Sequence, residues 1–89
     1  MEDTIRKRQA KTRIEKIKDI LVAASDGTTR RQIMQLADLS YPLVEEYVNF
    51  LAESKLVIRR RQRGYTVYKI TRKGAGVLRC LREIDKLLA

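Results

Sequence analysis

Thr29–Ser54 reads TRRQIMQLADLSYPLVEEYVNFLAES. Thr29 followed three residues later by Gln32 has the form of a capping box, so a helix is predicted to start there. Ile33, Met34 and Ala37 give it a short apolar stripe, and Asp38-Leu39-Ser40 interrupts the pattern. Ser40 suits an N-cap, and Pro42 suits a first helical turn, where a missing N–H costs nothing. Val44, Val48 and Leu51 then recur at spacings of four and three on one helical face. Two short capped helices around a tight turn form a helix-turn-helix candidate, although many small helical domains contain such a pair.

Upstream, Thr12–Ser25 has helical periodicity, with Ile14, Ile17, Ile20, Leu21 and Ala24 on one face and Arg13, Glu15, Lys16, Lys18 and Asp19 off it. Gly27, after Asp26, suits the left-handed residue that follows a helix. Residues 1–11 carry Arg6, Lys7, Arg8 and Lys11, and read as a basic N-terminal arm or an extension of the first helix. Downstream, Leu56-Val57-Ile58 is β-branched and apolar. Arg59-Arg60-Arg61-Gln62-Arg63-Gly64 reads as the tip of a hairpin. Tyr65–Ile70 reads as its second strand, with Tyr68 and Ile70 on one face and Val67 and Lys69 on the other.

Thr71 is placed to cap a last helix over residues 72–89, where Gly74 and Gly76 lower helix propensity and allow close packing on the hairpin. Val77, Leu78, Leu81, Ile84, Leu87 and Leu88 form an apolar arc, with Cys80 at its edge read as a small buried hydrophobe. The arc is wider than the ~100° stripe of a surface helix. Val77, Leu81, Ile84 and Leu88 also have heptad spacing. One side of the arc can close the core, and the other is read as a homodimer contact, unless the helix is used wholly within one chain. The expected fold is therefore α+β and mostly α: a three-helix core, a two-stranded β wing and a C-terminal helix, all within residues 12–89, which is a winged helix-turn-helix.

Eighty-nine residues allow one domain with a modest core. The net charge of +9 and pI near 10.1 point to a polyanion, most often nucleic acid. One cysteine and no histidine exclude an internal disulfide, histidine acid–base chemistry and Cys/His zinc sites. No cofactor is implied, and no nucleophile–base pair or phosphate-cradling glycine loop suggests an enzyme. The longest apolar run, Ile20–Ala24, is too short to span a membrane, and no signal peptide is visible. A cytoplasmic, nucleoid-associated location is expected. The charge is unevenly spread: residues 26–54 hold two basic and five acidic side chains, whereas residues 55–73 hold eight basic and none acidic.

These features nominate a surface for double-stranded DNA. The outward face of the third helix carries Pro42, Glu46, Asn49 and Glu53. Asn49 is suited to an adenine edge or is simply solvated, and Tyr41 is suited to a phosphate. Arg30 and Arg31, in the first turn of the second helix, are placed for phosphate contacts that backbone N–H groups can join. Arg59, Arg60, Arg61 and Arg63, with Lys69, are expected to grip the flanking backbone or minor groove. The acidic face of Glu45, Glu46 and Glu53 favours a rival, a winged-helix protein-interaction module that does not touch DNA. RNA binding fits the charge but lacks an exposed aromatic sheet.

Two runs carry a resemblance: QIMQLADLSYPLVEEYVNFLAESKLV, residues 32–57, and YKITRKGAGVL, residues 68–78. They resemble an archaeal winged helix-turn-helix family that includes dimeric chromatin-associated DNA-binding proteins of the Sulfolobales. In that family an I-M-x-x-A-x-L-S-Y run makes the turn, matched here by Ile33-Met34, Ala37 and Leu39-Ser40-Tyr41. A Y-x-I-T-x-K-G run leaves the wing, matched by Tyr68, Ile70-Thr71 and Lys73-Gly74. The resemblance implies double-stranded DNA binding, often as a dimer through the C-terminal helix. Chromatin-type members carry a longer final helix that forms an antiparallel coiled coil. The helix expected here has roughly 16 to 19 residues, about 25–28 Å.

Overall fold

The computed structural model describes residues 12–89; the basic segment 1–11 lies outside the described residues. Its elements run α1 Arg13–Ala24, α2 Arg30–Ala37, α3 Tyr41–Glu53, β1 Val57–Gln62, β2 Tyr65–Ile70 and α4 Arg72–Leu88. This is the mostly helical winged arrangement expected from the sequence.

Helix starts follow the local chemistry. At α2 the Gln32 N–H donates to Thr29 Oγ1 (3.3 Å), and the Thr29 N–H donates to Gln32 Oε1 (3.1 Å), closing the expected capping box. Thr12 and Glu15 make the same reciprocal pair at the start of α1. Ser40 occupies the N-cap position of α3, but its hydroxyl makes no capping bond. Of the two N–H groups such a cap can accept from, Pro42 removes the one at the second position. Asp38 turns the chain in the left-handed region (φ 55°), so Leu39 drops into the core while its N–H reaches Met34 O (3.1 Å).

Ile17, Ile20, Leu21 and Ala24 of α1 meet Ile33 and Ala37 of α2 and Val44, Val48 and Leu51 of α3 in one core. Two positions of α1 depart from the expected face. Ile14 is 56% exposed, whereas Lys16 is only 7% exposed. The Lys16 stem is buried, and its ammonium donates to Ala37 O (3.1 Å) at the C-terminal end of α2. A cation there satisfies an orphan carbonyl and opposes the helix dipole, which accounts for a charged residue displacing Ile14 from the interior.

The hairpin is longer than the apolar residues suggest. β1 continues through Arg59, Arg60 and Arg61 to Gln62, so those arginines lie in a strand and not in a loop. Only Arg63 and Gly64 form the turn, with φ of 48° and 88°, the two positive values a tight type I′ hairpin requires. Pairing runs from Val57↔Ile70 through Arg59↔Tyr68, Arg60↔Val67 and Arg61↔Thr66 to Gln62↔Tyr65. Thr28 adds an isolated bridge on the other side of β2: it exchanges both main-chain hydrogen bonds with Tyr68 (2.9 and 2.7 Å) and ties the α1–α2 connection to that edge.

α4 starts where Thr71 Oγ1 accepts from the Gly74 N–H (3.0 Å) and donates to Lys55 O (2.6 Å). Gly74 is a close-approach glycine: a Cβ there would lie 2.1 Å from Leu56 O. Leu78 is buried, Val77 packs against the core, and Leu81 is half-buried. Beyond Leu81 the arc finds no cover among the described residues, and Ile84, Leu87 and Leu88 are exposed, Leu88 to 81%. Cys80 is also exposed, not buried as expected, because α4 turns only the Gly74–Leu78 side onto the hairpin and α1. A Lys18–Asp85 ion pair joins α1 to α4. Among the described residues, no helix is long and apolar enough to cross a membrane.

Candidate nucleic-acid interface

Strand alternation divides the hairpin side chains. Arg59 and Arg61 share a face with Tyr68 and Thr66, whereas Arg60 shares the opposite face with Val67 and Lys69. The first face turns inward at its base, where the Tyr68 ring is fully buried in the core. Two guanidiniums sit over that ring: Arg30 from the first turn of α2 (5.7 Å to the centroid) and Arg59 from β1 (6.0 Å). Each is a cation–π contact, and together they place one cation from the helix-turn-helix beside one from the wing.

α3 supplies the acceptors. Tyr41, Glu45 and Asn49 are four residues apart and therefore share one side of the helix. Arg59 Nη2 donates to Asn49 Oδ1. Arg30 Nε lies 2.8 Å from Glu45 Oε2, a charge contact without the alignment of a hydrogen bond. Hydrogen bonding to the Glu45 carboxylate, and then its charge, raise the Tyr41 pKa above its ordinary value. Tyr68 Oη is buried with no hydrogen-bond partner among the described residues. Its ring is held by packing and by the two arginines.

Of the residues nominated from sequence, the structure thus brings together Arg30, Tyr41, Asn49 and Arg59. Arg31 is exposed beside them, lining a shallow depression of about 560 Å³ with Arg30, Met34, Gln35 and Tyr41. Pro42 is exposed in the first turn of α3. Arg61 continues the Arg59 face outward, and Arg63 stands at the tip. Arg60 and Lys69 lie on the other face of the hairpin, so the arginine run is not a single cluster. Glu46 and Glu53 remain exposed on α3. On a neighbouring side of α3, Arg13 stacks over Tyr47 (5.5 Å) and Phe50 (5.6 Å). Among the described residues, no group of three or more His, Cys, Asp or Glu could hold a metal.

The winged helix-turn-helix family profile matches residues 8–89, nearly the whole chain. The chain belongs to the winged helix-turn-helix family. Its fold is of the DNA-binding type, in a family that is typically non-enzymatic. Among solved structures, this winged helix-turn-helix chain is similar to AF1382 from the archaeon Archaeoglobus fulgidus. The TM-score is 0.72 at 16% identity, covering 83% of this chain and 88% of that one. At that identity the likeness shows a shared fold. No curated protein matches the chain significantly.

Sequence reasoning missed two members of this winged helix-turn-helix site, the half-buried Glu45 and the buried Tyr68. The spacing of Tyr41, Glu45 and Asn49 was a usable signal for Glu45, because residues four apart on a helix are neighbours. Tyr68 gave no such signal, since its partners Arg30 and Arg59 come from other elements and meet it only in three dimensions.

Proposed function

We propose that this chain binds double-stranded DNA mainly through phosphate contacts, as a transcriptional regulator or small chromatin protein. The observation that carries the reading is the meeting of Arg30 and Arg59 over Tyr68, which links the helix-turn-helix to the wing as one cationic surface. Arg31, Arg61 and Arg63 extend that surface, and no acidic residue occurs anywhere in residues 55–82 to neutralise the wing locally. α3 approaches the major groove with Tyr41, Pro42 and Asn49. The wing reaches the adjoining backbone or minor groove, with Arg60 and Lys69 available to phosphates on its far side. Homodimerisation through α4 fits the same reading: Ile84, Leu87 and Leu88 are exposed, Leu81 is half-buried, and Val77 packs against the core. A nucleoid-associated location follows from DNA binding.

The test is titration of a random-sequence duplex with the unaltered chain and with an Arg61→Ala/Arg63→Ala double variant. The variant should bind all sequences more weakly and depend less on salt, its log–log slope falling by about one per arginine removed. Unchanged binding would remove the wing from the mechanism. A protein-interaction role is the second reading, favoured by the exposed Leu43 and Phe50 flanked by Glu46 and Glu53 on α3. A chain that ignores duplex DNA at low salt would support it.

A further inference from the structure

α3 carries two exposed or half-exposed side chains with the chemistry to read a base on the wing-facing side, Glu45 and Asn49, and both are already engaged. Asn recognises adenine bidentately: Oδ1 accepts from N6 while Nδ2 donates to N7. Only the oxygen end of the amide can face a guanidinium, so the Arg59 contact fixes the orientation of Asn49 and occupies Oδ1. A second lone pair remains on that oxygen. A base using it would bring its N6 donor against the positive charge of Arg59. What Asn49 still offers freely is the Nδ2 donor, which suits N7 of either purine, or a phosphate, and does not discriminate. Glu45 could accept from cytosine N4. Its carboxylate instead faces the Arg30 Nε at 2.8 Å.

We infer that Asn49 and Glu45 are positioning residues, which hold Arg59 and Arg30 over Tyr68 for phosphate contact, and that α3 carries no base code at these two positions. The inference rests on the DNA reading above and sharpens it: the chain coats duplexes with little regard to sequence along this side of α3. The reason for such an arrangement is entropic. Free arginines lose rotamer freedom when they grip a phosphate, and cations already stacked and paired have less to lose. Glu45 is an ambiguous residue to test, because its removal both loosens Arg30 and withdraws a negative charge from the path of the DNA. Asn49 is neutral and exposed, so its truncation leaves the charge and the core unchanged.

The experiment is a double-mutant cycle on a random-sequence duplex pool, using the unaltered chain, Asn49→Ala, Arg59→Ala and the double variant. Recovered sequences are read from the unaltered chain and from Asn49→Ala, and circular dichroism confirms folding. Asn49→Ala should weaken binding roughly three- to tenfold for every sequence, the range expected for one newly mobile side chain. In the Arg59→Ala background most of that loss should vanish. The unaltered chain should recover no fixed adenine. An adenine preference that Asn49→Ala abolishes, or a loss that persists in full without Arg59, overturns the inference and leaves DNA binding standing. Failure of the unaltered chain to bind any duplex is a separate result: it removes the DNA reading and this inference together.

Discussion

At the scale of single residues, the two glycines of α4 behave as opposites despite their closeness in sequence. A methyl group on Gly74 would sit 2.1 Å from Leu56 O and 2.8 Å from Ile70 Cγ1, and that backbone oxygen is already fixed by the Thr71 N–H (3.0 Å). The helix-propensity gain of about 1 kcal/mol for Gly→Ala cannot offset pushing α4 off the hairpin. Gly74→Ala should therefore destabilise the fold by about 2 kcal/mol or more. Gly76 has nothing within 4 Å of its would-be Cβ. Gly76→Ala should stabilise by roughly 0.5–1 kcal/mol. Urea unfolding of both variants checks the pair, and equal shifts of one sign would contradict this packing. The sequence suggested close packing for both glycines, but only the position of Leu56 O separates them. Lys16 shows the same kind of gap. Periodicity placed it off the apolar face, and nothing in the sequence reveals that its ammonium reaches the end of another helix.

At the scale of elements, the helices were legible and the hairpin only partly so. Capping at Thr29 and the Val44–Val48–Leu51 stripe depend on neighbours within two turns, which is the range a sequence displays. The apolar run Leu56-Val57-Ile58 marks only the start of β1, because Arg59-Arg60-Arg61 has no strand signature of its own. Its conformation is imposed by pairing with Tyr68, Val67 and Thr66 across the ladder. That pairing also decides which arginines stand together, so alternation separates Arg60 from Arg59 and Arg61. The turn carries a measurable strain. Arg63 holds φ 48°, in a region that costs an ordinary side chain about 1 kcal/mol or more and that asparagine tolerates. Arg63→Asn should raise stability by up to about 1 kcal/mol while weakening duplex binding. Thermal unfolding alongside a binding titration checks this, and a variant with lower stability would show that the turn is not of the assumed type.

At the scale of the whole molecule, the exposed end of α4 and the net charge of +9 address different partners. Ile84, Leu87 and Leu88 are proposed to meet a second copy. Sedimentation at tens of micromolar should find a dimer, and Leu87→Asp/Leu88→Asp should yield a folded monomer. A monomeric unaltered chain would end the dimer proposal without touching the fold. The total charge was visible in the sequence, and so was its concentration in residues 55–73. Its arrangement around Tyr68 was not, because a guanidinium from α2 and one from β1 become neighbours only after the hairpin folds back on the helix-turn-helix. The most direct test of this cationic surface is the salt dependence of duplex affinity for the unaltered chain. With roughly six phosphates neutralised, log K should fall against log salt with a slope of about −5. A slope near zero would contradict the account.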